Sequence, residues 1–331
     1  MSEKLNLNNA YGLLIGVGGE NMSATVADAK ALFKILTDKK LAAYPEKNVF
    51  LLTESKATRE NVIKHLDLIA KNIKDKQDAT VFIYYSGHGG RFEKAVQGKQ
   101  AFDYYMLTHG FDLDNPKDTM LNGDDFSEMI DQLAAEKIIV LLDCCHAAGM
   151  KRKGVITKTI VKTKKKVTYS NEELIRKLKG GTGRVFMSSC ADSEESVILP
   201  GAINSLFTQI TLEALTGIAS KGSSFVRVID LMYHVLLTVP KKVAPYNHEQ
   251  NPVINDVKNL NAGYLLCLNG KKATVKSGSE MIVKSHEATE KDKMNFIANY
   301  TNKISVAGNV TNSVTVNTIN GDFIIGTKES K

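Results

Sequence analysis

The sequence predicts an α/β fold in which helices cover both faces of a mostly parallel sheet. Over the first 270 residues, short and nearly continuous apolar runs alternate with longer stretches in which apolar residues recur every three or four positions. Reactive residues follow two of these runs, which is where chemistry gathers in parallel sheets. With 43% hydrophobic and 24% charged residues among 331, the chain can bury the core that such a fold needs.

Five apolar runs are predicted to form strands that are buried on both faces. They are residues 11–17, 48–53, 80–85, 137–142 and 184–188. Six amphipathic stretches are predicted to form helices, one of them because the capping box Ser170-x-x-Glu173 marks a helix start. They are residues 24–39, 58–73, 124–135, the segment from 170 onward, 203–215 and 225–239. Strands and helices that alternate in this way indicate parallel neighbouring strands.

The C-terminal part of the chain breaks this alternation. Residues 271–302 are polar and show little apolar periodicity, so they are predicted to be a linker. Residues 303–327 are rich in β-branched residues, Asn and Gly, with turn signals at Gly308-Asn309 and Asn320-Gly321. One or two β-hairpins are therefore predicted there. The hairpin could extend the main sheet, or it could mediate self-association or recruitment, because uncharged strands pair readily at their edges.

The positive charge of the chain is concentrated in one segment. Lys and Arg number 43 and Asp and Glu 36, which gives a net charge of +7. Residues 151–168 contain eight basic residues and no acidic ones, and subtracting eight from seven leaves −1 for the rest of the chain. They are Lys151, Arg152, Lys153, Lys158, Lys162, Lys164, Lys165 and Lys166. A nucleic-acid-binding protein is expected to carry its basic residues on a folded face, so this distribution argues against that class.

Membrane, secreted and zinc-binding classes are not indicated. The sequence contains no run of about 18 apolar residues, so no membrane span is predicted. The first residues lack the apolar centre of a signal peptide, so a cytoplasmic location is expected. The four cysteines, Cys144, Cys145, Cys190 and Cys267, have neither the spacing of a zinc site nor that of a disulfide framework.

Two predicted strand ends carry residues that a nucleophilic enzyme needs. The strand at 80–85 is followed by Ser86-Gly87-His88-Gly89, and the strand at 137–142 is followed by Asp143-Cys144-Cys145-His146. If the strands are parallel neighbours, an imidazole there can take the thiol proton and later protonate an amine leaving group. Taken singly, a histidine after a strand is usually a surface residue and a buried cysteine usually packs in the core. Their conjunction at both strand ends favours catalysis.

These motifs resemble the two signatures of caspase-like cysteine peptidases. The segments 86–89 and 143–149 are most similar to those of metacaspases and their bacterial relatives, and the resemblance covers about residues 9–268. It implies a three-layer α/β/α sandwich around a six-stranded sheet. Residues 1–270 would then be the peptidase domain, with a large portion at 1–150 and a small portion at 169–270.

The resemblance also assigns the reaction residues. It implies that His88 is the general base and Cys145 the nucleophile, while Cys144 fills a variable position of the motif. The backbone N–H groups of Gly89 and Cys145 would form the oxyanion hole. This cysteine chemistry requires no cofactor.

A basic substrate is expected from the charges near these residues. Asp28 stands where metacaspases have a pocket aspartate, Asp143 lies two residues before the implied nucleophile, and Ser86 lies two residues before His88. Caspases hold an Asp side chain with an Arg and a Gln, whose places are taken here by Met22 and Asp143. Two carboxylates and a hydroxyl would suit Lys or Arg through charge-assisted hydrogen bonds. Taken alone, Asp28 could be an ordinary helix residue.

The basic segment 151–168 occupies the place of the loop between the large and small portions, which many family members cut in themselves. A basic loop beside an acidic pocket would be its own nearest substrate, at high effective concentration. Autoprocessing after one or more of its eight basic residues is therefore expected. The alternatives are a solvated loop that is not processed and a tether for an anionic partner.

Calcium is a candidate activator by the same resemblance. Related metacaspases bind calcium through four aspartates, and Asp112, Asp124 and Asp125 match three of them. The fourth position falls near Arg152, whose positive charge opposes a bound cation. Asp124 and Asp125 could equally be the N-terminal charges of a helix.

The sequence as a whole favours a cytosolic cysteine endopeptidase that is made as a zymogen-like single chain. Its expected substrates are proteins or peptides with Lys or Arg, itself included, and no nucleic-acid or membrane partner is expected. The alternative is a caspase-like interaction or signalling module with little peptidase activity, assembled through the β-rich segment 303–327.

Overall fold

A computed structural model describes ten stretches of the chain, which leave the basic segment and the predicted helix from 170 onward outside the described residues. These stretches are residues 7–19, 22–76, 78–96, 99–145, 183–191, 194–220, 223–258, 264–269, 314–319 and 322–327. The chain divides into two compact units, Met1–Glu287 and Ala288–Lys331.

The first unit contains ten described strands and six described α-helices. The strands are β1 (Ala10–Gly16), β2 (Val49–Thr53), β3 (Thr80–Val96), β4 (Lys99–Met106), β5 (Leu121–Asn122), β6 (Lys137–Cys145), β7 (Arg184–Ser188), β8 (Phe225–Arg227), β9 (Val253–Lys258) and β10 (Leu265–Leu268). The helices are α1 (Ser23–Thr37), α2 (Arg59–Ile73), α3 (Pro116–Thr119), α4 (Gly123–Asp131), α5 (Leu206–Leu215) and α6 (Val228–Val243).

Six strands form the central path of the main sheet, in the order β2-β1-β3-β6-β7-β9. All neighbours on this path are parallel except β9, which runs antiparallel to β7. Strands β4 and β5 extend the sheet from β3. Every residue of β1 is buried, as expected for a strand that is covered on both faces. The predicted α/β fold with a mostly parallel sheet is confirmed; its central path has the six strands expected, and β4 and β5 bring the sheet to eight.

One face of this sheet packs against α2 and α4. Apolar residues two positions apart on β1, β3 and β6 share one buried cluster with residues from both helices. They are Leu13, Ile15, Ile83, Tyr85, Val140 and Leu142 from the strands, and Val62, Leu66, Ile69, Phe126 and Ile130 from the helices. A spacing of two is the period of residues on one side of a strand. Burying each such side chain contributes about 1.5–3 kcal/mol to stability.

The opposite face is covered by α1 and α5. Tyr84 and Ser86 alternate with Tyr85 along β3, so they point to the other side of the sheet. There Tyr84 contacts Thr208 of α5, and Ser86 contacts Asp28 of α1. The sheet therefore forms the middle of three layers, and polar contacts near the strand ends connect it to both helices on this face.

The boundaries of three predicted helices were wrong. The helix predicted at 203–215 begins at Leu206, because Ser205 caps it with its hydroxyl. The helix predicted at 225–239 starts only after the short strand β8, which pairs with β10, and it continues to Val243 with Pro240 inside it. The helix predicted at 124–135 ends at Asp131.

Strand β3 is longer than predicted because it changes partners. It pairs in parallel with β6 as far as His88, and from Gly89 onward it pairs antiparallel with β4. The strand predicted to end at residue 85 therefore continues as one arm of a hairpin that extends the sheet. Strand β9 was not predicted, because its sequence VINDVK mixes polar and apolar residues without a clear period.

The second unit contains one described hairpin. Strands β11 (Val314–Ile319) and β12 (Asp322–Thr327) pair antiparallel in a two-stranded sheet. The turn signal Asn320-Gly321 stands between them in the sequence. Among the described parts of the chain, no helix is both long and apolar enough to cross a bilayer.

Candidate active site

The backbone at His88 is fixed from two sides at the point where β3 leaves the parallel sheet. Its carbonyl oxygen accepts the Leu107 N–H at 2.9 Å. The hydroxyl of the fully buried Tyr85 lies 2.7 Å from the carbonyl oxygens of both His88 and Leu107. One buried phenol thus connects the end of the parallel ladder to the chain that follows β4.

Gly87 makes this arrangement possible. A Cβ atom at this position would lie 2.5 Å from the Tyr85 hydroxyl and 2.8 Å from Cγ2 of Val17. Both distances are far shorter than a van der Waals contact, and the neighbouring atoms belong to the buried end of the sheet. The glycine before His88 is therefore required by the packing of Tyr85.

The imidazole of His88 is half-buried, and this burial lowers its pKa below the ordinary value. Loss of hydration disfavours the charged form of a histidine. The neutral ring is therefore the main form near pH 7, and it offers a nitrogen that can accept a proton. This is the protonation state that a general base needs.

Cys145 is the register partner of His88. The parallel ladder between β3 and β6 runs from Thr80 and Lys137 to His88 and Cys145. Adjacent strands lie about 4.8 Å apart, so the two backbones are neighbours at the last rung. The preceding residue, Cys144, is buried in the same cluster as Tyr85. Gly89, the predicted oxyanion-hole residue, lies one position past His88.

Asp28 is 1% exposed and is bonded on both carboxylate oxygens. Its Oδ1 accepts the Asn204 side-chain amide at 2.8 Å and the Ser205 N–H at 3.1 Å, and its Oδ2 accepts the Ser86 hydroxyl at 3.4 Å. Burial, followed by the charge of Asp143, raises the pKa of Asp28 to about 8. The hydrogen bonds oppose this rise without cancelling it.

Asp143 is 4% exposed and receives hydroxyl donors on both oxygens. Its Oδ2 accepts from Tyr84 at 3.3 Å, from Thr208 at 3.0 Å and from Ser205. Its Oδ1 accepts the Ser196 hydroxyl at 2.7 Å. These donors are neutral, so they solvate the carboxylate without supplying an opposite charge.

Ser205 joins the two carboxylates. Its N–H bonds to Asp28, and its hydroxyl donates to Asp143 while accepting the Thr208 N–H at 3.0 Å as the cap of α5. The N-terminal end of a helix carries a partial positive charge, which favours nearby anions. The structure therefore brings together Asp28, Ser86 and Asp143, the three residues predicted to recognise a basic side chain.

The sequence interpretation missed the residues that donate hydrogen bonds to the acidic group, the name used below for Asp28, Ser86 and Asp143. Ser196, Asn204, Ser205 and Thr208 were not predicted as site residues, and the last three of them were placed inside the helix predicted at 203–215. The pattern of Ser205 before the apolar pair Leu206-Phe207 is a helix-start signal that could have identified the cap. Ser196 lies in a loop without periodicity, so no comparable local signal was available.

The predicted calcium residues lie in two places. Asp112 is exposed in the loop after β4, where its Oδ1 accepts the Asp114 N–H at 2.9 Å. Asp124 and Asp125 lie in the first turn of α4, and their N–H groups are capped by Asn122. Within the described residues, no group of three or more His, Cys, Asp or Glu is arranged to hold a metal ion. The processing residues between 151 and 168 lie outside this part of the chain.

Comparison with known proteins assigns the fold and the strand ends to one family. The family model described as Peptidase_C14, caspase domain, matches residues 8–261. None of the curated proteins matches the chain. The matched stretch contains the three-layer unit, both strand ends and the acidic group. The chain belongs to the caspase-domain family of cysteine peptidases.

Proposed function

We propose that the protein is a cysteine endopeptidase that cleaves after Lys or Arg, with His88 and Cys145 as its catalytic dyad. The observation that carries this proposal is the final rung of the β3–β6 ladder, where His88 and Cys145 are partners. Ser86 and Asp143 lie two residues earlier on the same strands and are themselves register partners. On both strands, the residue proposed for specificity thus lies two positions before the residue proposed for catalysis.

The chemistry requires one thiol, one imidazole and two N–H donors. In the first step His88 takes the thiol proton of Cys145, and the thiolate attacks the carbonyl carbon to form a C–S bond. The N–H groups of Gly89 and Cys145 stabilise the oxyanion. The imidazolium then gives its proton to the amine as the C–N bond breaks. Water, deprotonated by the same imidazole, attacks the acyl carbon, the C–S bond breaks to release the acid, and the imidazolium returns its proton to the Cys145 thiolate.

Charge supports the preference for Lys or Arg. Asp28 and Asp143 are buried, and within the described residues their hydrogen-bond partners are uncharged hydroxyl, amide and N–H groups. A substrate cation would supply the missing positive charge, and in a water-poor site this interaction is stronger than at the surface. An acidic substrate side chain would be repelled by negative charge on this pair, more strongly once Asp28 ionises above about pH 8.

The adjacent cysteines provide the test of the dyad. We expect Cys145→Ala to lower kcat/KM for Lys and Arg peptides by about 1,000-fold or more, because the nucleophile is removed. Cys144→Ala is the matched control, since it removes a buried core thiol one residue away, and it should retain most activity. Peptides with Asp or Ala before the cut bond measure the selectivity. Loss of activity in Cys144→Ala alone would refute the assignment.

Autoprocessing in residues 151–168 is part of this proposal. The segment begins six residues after Cys145 and carries eight basic side chains, so it is present at high effective concentration. Intact mass after incubation of the wild type, with and without calcium, should show cleavage after at least one of these residues. Cys145→Ala should stay whole under both conditions. Cleavage that needs calcium would also support an activating calcium site.

Assembly through the hairpin is a second candidate function, favoured by the composition of β11 and β12. Their sequences, VTVNTI and DFIIGT, contain a single charged residue, Asp322. A two-stranded hairpin is marginally stable alone and gains stability by pairing at its edges. If copies pair there, deleting residues 303–327 should lower the number of chains in the assembly, as measured by its mass in solution. A wild type that assembles but is inert on basic peptides would favour this function over proteolysis.

A further inference from the structure

A buried amide lies behind the acidic group, in the segment between α6 and β9. Gln250 is 0% exposed. Its Nε2 donates to the Ser189 carbonyl at 2.9 Å and to the Ser196 hydroxyl at 3.4 Å, and its Oε1 accepts the Val197 N–H at 3.2 Å. These contacts hold the chain that leaves β7 at both its first turn and its middle.

The chain held by Gln250 also reaches Asp143. The Ser196 hydroxyl donates to Asp143 Oδ1 at 2.7 Å, and the Val197 carbonyl accepts the N–H of Leu206 at 2.8 Å, at the start of α5. Because Gln250 fixes residues 196 and 197 from behind, it also fixes the direction from which the Ser196 hydroxyl meets the carboxylate.

The two oxygens of Asp143 differ in their capacity for a further partner. Oδ2 accepts from three hydroxyls, those of Tyr84, Ser205 and Thr208, whereas Oδ1 accepts from Ser196. A carboxylate offers about four lone-pair sites over its two oxygens. Within the described part of the chain, Oδ2 thus has three donors and Oδ1 has one, so Oδ1 is the oxygen that can receive the charge of a substrate side chain beside the Ser196 hydroxyl.

We infer that Gln250 is a positioning residue for the recognition of basic side chains, acting through Ser196 on the Oδ1 atom of Asp143. This inference deepens the proposed Lys/Arg selectivity and rests on it. Among the described residues, the hydrogen bonds of Gln250 go to Ser189, Ser196 and Val197, so its effect should appear in substrate binding and leave the chemical step nearly unchanged.

The test is a double-mutant cycle between Gln250→Met and Ser196→Ala. Methionine keeps the volume of the side chain and removes its hydrogen bonds. Each single variant should raise KM for a Lys peptide about tenfold and keep kcat within about twofold, and the double variant should add little beyond either one. This non-additivity would not arise if Gln250 only stabilised the fold.

Asn251→Ala is the matched control. Asn251 is the next residue, and its side chain donates to the Glu194 carboxylate at 2.6 Å on the exposed side of the same chain. Asn251→Ala should lower thermal stability while leaving KM unchanged. Its loss of stability should add to that of Ser196→Ala. If Gln250→Met does not fold, Ser196→Ala still tests the link, since it keeps the buried amide.

The outcomes separate this inference from the proposed function. A wild type without preference for Lys or Arg overturns both. A wild type with that preference, together with Ser196→Ala or Gln250→Met at unchanged KM, overturns the inference alone. Additive effects of the two substitutions overturn it as well, because Gln250 would then act by another route.

Discussion

The candidate site has two parts: the reaction end, formed by His88 and Cys145, and the acidic group, formed by Asp28, Ser86 and Asp143. The two parts are held in different ways. His88 and Cys145 owe their backbone positions to the β3–β6 ladder, in which they are the last partners. The carboxylates of Asp28 and Asp143 are held by side-chain and N–H donors from β3, from α5 and from the loop before it. The first arrangement follows from strand pairing, whereas the second depends on contacts that can be removed one at a time.

The largest separation between the two regions is expected from Asp143→Asn. This change keeps the shape and removes the charge, so kcat/KM for Lys and Arg peptides should fall about 100-fold. The alkylation rate of Cys145 by iodoacetamide should stay within about twofold, because the small reagent does not use the acidic group. Asp67→Asn, at an exposed position of α2, is the control and should change neither quantity. Parallel losses in both assays would show that the two regions are not separable.

A smaller loss of activity, which affects the reaction end and spares the acidic group, is expected from Gly87→Ala. The new methyl group would collide with the Tyr85 hydroxyl, which fixes the carbonyl of His88. We expect kcat to fall about tenfold with little change in KM, since the acidic group is untouched. Gly12→Ala, in β1, is the control: its Cβ would lie 3.0 Å from the Val49 side chain of β2, so it should lower the melting temperature and keep kcat. A change in KM alone would contradict the comparison.

The smallest effect is a pH dependence that belongs to the acidic group. Asp28, with its pKa raised to about 8, becomes ionised as the pH rises through that value. KM for a Lys peptide should therefore fall about threefold between pH 7 and pH 9. Asp28→Asn should remove this dependence. If His88 is the general base, we expect it to set the acid limb of kcat/KM below pH 6.5, the ordinary pKa of histidine, because burial lowers the pKa of His88.

Stability should change in the opposite sense over a wider pH range. The pKa of Asp28 is about 8 in the folded protein against an ordinary value of 3.8, so the folded state holds an extra proton between these values. The free energy of unfolding therefore falls as the pH rises from about 4 to about 8. Melting curves of the wild type and Asp28→Asn measure this contribution. An equal pH dependence in both proteins would show that Asp28 does not cause it.

Local patterns predicted the fold and the neighbouring strand ends that carry His88 and Cys145, because both are encoded in short segments. The apolar runs at 80–85 and 137–142 marked two neighbouring strands, and the residues after them supplied the candidate catalytic groups. Parallel pairing then placed His88 opposite Cys145 without further information. The partner change of β3 at Gly89 was not predicted, because a strand that leaves one neighbour for another keeps the same local pattern.

The supports of the acidic group could not be read from local patterns. Ser196, Asn204 and Gln250 act through contacts with residues more than 50 positions away. Their side chains are common in loops, and only the folded chain shows that they meet buried acceptors. Ser205 is the exception, since the helix cap that it forms has a sequence signal.

The two-residue offset on β6 also sets a length. Residues two apart on a parallel strand are separated by about 6.6 Å, comparable to the reach of an extended lysine side chain. For a substrate whose carbonyl carbon lies at Cys145, the spacing between Cys145 and Asp143 fixes the distance that the charged end of the side chain must span. A basic side chain shortened by one methylene would leave its charge short of the carboxylates. The strand would thus select the length of the side chain as well as its charge.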